Sequence, residues 1–414
     1  MTTYWAPLLH IYQPPFQDCD ILKRINEECY LPLFNTIKEH DNSKFSLNIC
    51  GSLIEMLETQ NYETLNTIKD LVNEGKLELL GTAKYHPLLP LIPEKEARRQ
   101  IDLNEQITQK FFKHWQRKGF FPPEMAINSK LIKLLHDLNY DWVIMSGIAC
   151  PNDWPYDKIY SSSNGLKFYF RDDILSNKIS FNNITAELFL EELKTIHPPK
   201  SKIQKDDSHY VITAMDGETF GHHVKNYHRV FLSKILSLLK QEVDVKLEFI
   251  SDLKNHFQVN ESKINPQESS WSTTEDDLRK KIPFPLWYHP QNNIHQFYWK
   301  MFNSLNHLIS LIDDLDLMND LTIQNYYNTA RWYYDKSICS DTTWWANPER
   351  GMWSPNLIYK GVDLMVSSAL NAQLALTYAN NQAGESHFDS ICYYQGLILM
   401  ELYNFSKKYG LKSS

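Results

Sequence analysis

The stretch "HYVITAMDGETFG", residues 209–221, is a run of β-forming residues that closes on two acids, Asp216 and Glu218, either side of a glycine. A histidine-rich loop, "HHVKNYH" (222–228), follows. One strand ending in Asp-Gly is ordinary turn chemistry, since that dipeptide makes tight turns readily. The ending becomes informative when other strands close in a similar way. Comparable runs are "YWAPLLH" (4–10), "KFSLNIC" (44–50), "KLELLG" (76–81), "GFFPPE" (119–124), "DWVIMSG" (141–147) and "VKLEFIS" (245–251). His10, Glu124 and Asp216 each stand at the C-terminal end of one of these strands.

Helical patterns lie between the strands. In "EKEARRQIDLNEQITQKFFKHWQRKG" (94–119), Ala97, Ile101, Ile107, Phe111 and Trp115 fall on one face, with Gly119 as a left-handed stop. "NSKLIKLLHDLNY" (128–140) is a second helix, with Asn128 or Ser129 as its cap. Such alternation predicts a parallel sheet covered by helices, and about seven or eight repeats predict a closed (β/α) barrel. In barrels of this class, chemistry gathers on the loops after the strands. The Asn/Ser/Lys-rich stretches near 153–165 and 200–208 read as surface loops. From about residue 291 the runs are long, amphipathic and helical in spacing. The expected organisation is a barrel over 1–290 and a helical bundle over 291–414 that contributes to the substrate cleft. A polar segment, "CSDTTWWANPERGMWSPN" (339–356), interrupts the bundle and carries Trp344, Trp345 and Trp353.

Composition narrows the functions. With 414 residues and 43% hydrophobic content the chain can bury a large core. Its formal net charge of -8 offers no general attraction to phosphate backbones or anionic lipid, so neither nucleic acid nor a membrane is expected as a partner. The six cysteines contain no C-x-x-C pair, and the N-terminus "MTTYWAPLLH" lacks a basic region followed by an apolar run. Reduced thiols and a cytoplasmic location are the expectation. Aromatic residues reach 13%, with 11 Trp and 23 Tyr; such rings fill cores and also stack on sugar faces.

Each acid has two readings taken alone. Glu124, in "FFPPEMAIN" (120–128), is either an acid favoured at a helix N-terminus or a carboxylate held on a stiff Pro-Pro segment. Asp216 is either a turn residue or a functional acid, and Glu218 either shares that role or orients its neighbours. Together they fit hydrolysis of a glycosidic bond, which needs one carboxyl as proton donor and another as nucleophile or base. Retaining enzymes set the two about 5 to 5.5 Å apart. A metal site built from His10, His86, His222, His223, His228 and Asp216 is a rival. Its spacing matches no helical ligand pair, so no metal and no cofactor is expected. His10 and His86 either bond substrate hydroxyls or are satisfied core histidines.

Five short regions, in order and spanning nearly the whole chain, resemble glycoside hydrolase family 57. "LLHIYQPP" (8–15) is similar to that family's H-x-H-Q-P signature, with His10 and Gln13 matching and Tyr12 replacing the second histidine. "GKLELLGTAKYHPLLPLI" (75–92) resembles its G-x-x-E and Y-x-P region and puts His86 at a variable, substrate-facing position. "FFPPEMAIN" and "AMDGETFG" (214–221) put Glu124 and Asp216 where the family has its nucleophile and its general acid/base. "ARWYYDKSICSDTTWWAN" (330–347) resembles the S-D-x-x-W-W segment through Ser340, Asp341, Trp344 and Trp345. Trp271, in "SSWSTTEDD" (269–277), falls where relatives line the sugar cleft with an aromatic ring.

The resemblance implies an irregular seven-stranded (β/α) barrel followed by a helical domain, and a retaining, α-amylase-like glycoside hydrolase or transglycosylase acting on α-glucans or α-linked oligosaccharides. A 4-α-glucanotransferase or an α-galactosidase of the same family is the alternative within the class. Outside it stand a non-catalytic carbohydrate-binding homologue, which Tyr12 favours, and a metal-dependent deacetylase on a similar barrel.

Overall fold

A computed structural model of the chain describes residues 2–152, 154–196, 208–315 and 320–410. The described chain divides into two compact units. The first comprises residues 1–13, 17–84 and 89–275, and the second 14–16, 85–88 and 276–414.

The first unit is an α/β ring. Its strands, in chain order, are β1 (Thr3–Ile11), β2 (Phe45–Ile49), β3 (Leu77–Leu79), β4 (Gly119–Phe120), β5 (Trp142–Ser146), β6 (Lys158–Ser161), β7 (Lys167–Arg171), β8 (His209–Asp216), β9 (Val245–Leu247) and β10 (Gln258–Lys263). Parallel pairing runs β8-β1-β2-β3 in one sheet and β4-β5-β7 in another. The sheets meet at both ends. A parallel bridge joins Gly81 to Phe120, and the Asp172 N–H donates to the Ile212 carbonyl at 2.7 Å. Among the described residues, seven strands therefore complete the ring, as the strand-helix alternation predicted.

The identity of the seven differs from the expectation. β7, "KFYFR", stands between β5 and β8, whereas β9 pairs only with Thr3 to Trp5 of β1. The stretch near 153–165 expected to be a loop holds β6, which runs antiparallel to β7. Its Asn/Ser-rich neighbours mask a buried strand whose four residues give too short an alternating pattern to read. The expected loop at 200–208 lies almost wholly outside the described residues. Gly119 also serves differently. The helix ends at Phe111, and Gly119 begins β4, where an added Cβ would sit 2.0 Å from the Trp142 ring. Its role is close packing rather than a left-handed stop. Asn128 does cap its helix, its side chain accepting from the Leu131 N–H at 2.9 Å.

Two apolar clusters follow from the two faces of the strands. Ala6 and Leu8 of β1 and Tyr210, Ile212 and Ala214 of β8 point inward with Phe121, Met125, Trp142 and Tyr169. Trp5, Leu9 and Ile11 of β1 and Val211 and Met215 of β8 point outward against helices. Because side chains alternate along a strand, the inward series 6, 8 on β1 continues to His10, and 210, 212, 214 on β8 continues to Asp216. Parallel register places His10 directly opposite Asp216.

The second unit is helical, with long helices Asn293–Asp313, Leu321–Ser337, Pro355–Tyr378 and Glu385–Tyr409. Their buried faces carry Tyr298, Phe302, Leu305, Tyr334, Val362, Met365 and Ile398. Arg331 and Asp313 form a buried bidentate pair at 3.0 and 2.5 Å. No helix among the described residues is long and apolar enough to cross a membrane.

Candidate active site

The C-terminal ends of β1, β2, β4 and β8 bring one group of candidates together. His10 is buried at the rim, and its Nδ1 lies 2.5 Å from the Asn48 side-chain oxygen at the matching position of β2. That contact holds the His10 ring against β2. Burial pushes the His10 pKa down, against the Asp216 charge and the Asn48 bond, which push it up. The His10 ring stacks on Phe121 at 4.9 Å and meets the Trp271 edge at 5.7 Å; Tyr12 stacks beside it at 6.3 Å.

Glu124 is reached through the same aromatic cluster. The Trp271 indole N–H donates to the Glu124 carboxylate at 2.8 Å, and the Trp271 backbone N–H donates to the Glu124 carbonyl at 3.1 Å. Glu124 adopts φ 60°, ψ 17°, and Met125 also has positive φ. Left-handed backbone costs a non-glycine residue roughly 1–2 kcal/mol. The surroundings hold it: Met125 packs into the barrel interior, the Met125 N–H donates to Pro122, and Ile127 and Ser269 bond each other's backbone. A glutamate kept strained and half-buried, with its carboxylate fixed by an indole, is not a helix-terminal acid.

Asp216 closes β8, and the next turn, Gly217–Phe220, buries Glu218. Glu218 accepts hydrogen bonds on its Oε1 from the Tyr30 hydroxyl and from Gln13 Nε2 at 3.1 Å. Burial and the Asp216 charge push the Glu218 pKa up to about 7, against those two donors. His223 also feels the Asp216 charge, though burial pushes its pKa down. Among the described residues no group of three or more His, Cys, Asp or Glu side chains is placed to hold a metal ion.

The remaining candidates belong to the helical unit. His86 is buried there with positive φ; its Nδ1 bonds the Ser340 hydroxyl at 3.0 Å, and its carbonyl accepts from the Ser340 N–H. Asp341 opens the short helix Asp341–Trp344, and the Trp344 and Trp345 rings meet edge to face at 4.7 Å, both half-buried. Sequence reasoning missed Asn48 and Tyr30. Asn48 is in register with His10 but does not end its run, so the strand-end rule that found His10 passes over it. Tyr30 had no signal either, because it sits in a π-helical turn, Asn26–Tyr30, that apolar periodicity does not mark.

A cavity of about 720 Å3 opens elsewhere in the first unit, around Leu77 and Glu78 of β3, Trp115, Phe249 and Asp252. Neither Glu124 nor Asp216 lines it. We place the candidate site at the strand C-termini, where barrels of this class hold their chemistry.

The fold is thus of the (β/α) barrel class, with a glutamate on strained backbone, a half-buried aspartate and a buried glutamate at the strand ends. The model of glycosyl hydrolase family 57 matches residues 9–268, and the chain belongs to that family. Similar curated proteins include an α-amylase of Pyrococcus horikoshii, 27% identical over 263 residues, 60% of this chain and 40% of that one. A 4-α-glucanotransferase of Thermococcus kodakarensis is 25% identical over 223 residues, 51% of this chain and 32% of that one. The matched segments thus span less than half the length of these curated relatives. In fold, the chain resembles a branching enzyme from Pyrococcus horikoshii with a TM-score of 0.75, 13% identity and 97% of each chain covered. It also resembles a 4-α-glucanotransferase from Thermococcus litoralis with a TM-score of 0.69 and 17% identity, covering 89% of this chain and 59% of that one.

Proposed function

We propose that the chain is a retaining α-glycoside hydrolase or transglycosylase acting on α-glucans or α-linked oligosaccharides, with Glu124 as nucleophile and Asp216 as general acid/base. One observation carries the reading. The Glu124 carboxylate bonds the Trp271 indole, Trp271 meets the His10 ring, and His10 stands in register beside Asp216, which supports a single rim for the two acids. Family membership and the α-amylase and 4-α-glucanotransferase relatives support the substrate class.

In the first step the Glu124 carboxylate attacks the anomeric carbon while Asp216 gives its proton to the departing glycosidic oxygen. The anomeric C–O bond breaks and a glycosyl ester forms on Glu124. Asp216, now a base, takes a proton from water or a sugar hydroxyl, which displaces Glu124 from the anomeric carbon. Strain and the indole hold Glu124 oriented before substrate arrives, so less ordering remains for the transition state. His10 and Tyr12 serve as contacts to the cleaved sugar, with Trp271 as its apolar wall. Trp344 and Trp345 offer stacking surfaces within their own unit.

Incubating the protein with maltoheptaose and separating products by chain length tests the proposal. Shorter products alone indicate hydrolysis, and longer ones indicate transfer. Glu124→Gln is expected to give neither. No new chain length from the wild-type protein, across α-1,4 and α-1,6 glucans and α-galactosides, would leave a binding homologue as the reading.

A further inference from the structure

The turn after β8, Gly217–Phe220, buries a further carboxyl, Glu218, that the two-carboxylate mechanism does not use. It lies two residues from Asp216, and burial, with the Asp216 charge beside it, pushes its pKa up to about 7. For acid catalysis the proton has to rest on Asp216.

The hydrogen bonds around Glu218 decide where it rests. Tyr30 donates its hydroxyl proton to Glu218 Oε1, and Gln13 Nε2 donates to the same oxygen at 3.1 Å and to the Tyr30 oxygen at 3.0 Å. Gln13 cannot turn its carbonyl to this site without losing Gln17, whose Nε2 donates to Gln13 Oε1 at 2.8 Å. Two fixed donors on one oxygen favour the charged form of Glu218. Other titratable groups stand nearby. His10 and His223, which face Asp216, are both pushed by burial toward the neutral form. Cys29, whose Sγ donates to the Gly217 carbonyl at 3.1 Å, is held as the thiol by burial. Glu28 and His222 pair with each other at 3.0 Å, and Glu28 is exposed.

We propose that Tyr30 and Gln13 are positioning residues that act through Glu218, their two donors on one oxygen disfavouring its acid form so that Glu218 does not compete for the proton Asp216 delivers. The backbone is built for this. The π-helical turn Asn26–Tyr30 presses against Gly221, where an added Cβ would lie 2.1 Å from the Glu28 carbonyl oxygen. A bare backbone at Gly221 lets the turn pack this closely. π-Helical turns of this kind occur often at functional sites.

This inference rests on the reading of Asp216 as the acid, and the test separates the two. kcat and its pH profile are measured for Tyr30→Phe, Gln13→Leu, Glu218→Gln and Asp216→Asn. Each is assayed on a maltooligosaccharide, a poor leaving group, and on a 4-nitrophenyl α-maltooligoside, an activated one. Tyr30→Phe is expected to lose about 10- to 100-fold on the maltooligosaccharide, the worth of a hydrogen bond to a buried charge. On the activated substrate it should lose only about threefold, since departure there needs little acid help. Its basic limb moves up, because Glu218 now holds the proton more firmly. Gln13→Leu does the same more weakly and covers the case in which Tyr30→Phe fails to fold. Glu218→Gln moves the basic limb the other way, because Asp216 has lost its charged neighbour. If the limbs stay in place and losses are equal on both substrates while Asp216→Asn behaves as an acid variant, the positioning role is refuted alone. If Asp216→Asn itself loses equally on both substrates, the acid assignment falls and takes this inference with it.

Discussion

Trp271→Phe probes the grip on the attacking carboxylate. The substitution keeps an aromatic ring against Phe121 and His10, which the indole meets at 5.8 and 5.7 Å, and removes only the N–H that donates to Glu124 at 2.8 Å. A hydrogen bond to a charged group contributes about 1.5–3 kcal/mol. The bond is stronger to the ionised carboxylate than to the protonated acid, so its loss makes Glu124 easier to protonate. Glu124 has to be ionised to attack, so the acid limb of kcat/KM should move up. On the plateau the rate should fall less, because ring packing and the strained backbone still orient the carboxylate. The assay is the pH dependence of kcat/KM on an aryl α-glycoside, run beside the wild-type protein. An acid limb displaced by less than about 0.3 unit would refute the idea that this indole stabilises the nucleophile's charge.

Other consequences concern stability. Gly221→Ala forces a Cβ to within 2.1 Å of the Glu28 carbonyl and 2.8 Å of Cys29 Cα, both backbone atoms, so urea unfolding should show a loss of about 1–3 kcal/mol together with reduced activity. Asn128→Ala removes the cap of the helix Ser129–Asp137; about 1 kcal/mol of stability should go while kcat stays at the wild-type value. His295, in the helical unit, is buried and its pKa is pushed down to about 3. The unfolded chain binds this proton below pH 6.5 and the folded one does not, so the contribution is whole above 6.5 and shrinks as pH falls. Between pH 7 and 5 the loss should be about 2 kcal/mol, and His295→Gln should flatten that part of the urea-midpoint profile. A midpoint profile equally steep in both proteins would show that other groups set it.

Much of the ring was legible because its strands are apolar on both faces and bounded by turn residues, and the inward alternation on β1 and β8 carries straight to His10 and Asp216. β7 was missed because its neighbours read as polar loop and its own pattern spans five residues. The end of the long helix was misplaced because Phe111 and Trp115 continue a helical spacing. In the fold, Trp115 leaves the helix and donates its indole N–H to the Leu79 carbonyl. At the site, the two rim acids stood out as polar residues ending apolar strands. The links among them did not. That Trp271 binds Glu124 and Tyr30 binds Glu218 depends on contacts 147 and 188 residues apart, which local pattern cannot encode.

The central claim is a covalent glycosyl intermediate on Glu124, and trapping it is the most direct measurement. The protein is incubated with a 5-fluoro-α-glucosyl fluoride, denatured, digested and analysed by mass spectrometry. One fluoroglucosyl unit is expected on the peptide containing Glu124, and none in Glu124→Gln. An adduct on Asp216, Glu218 or another residue, or turnover with no adduct under any quench, would contradict the assignment.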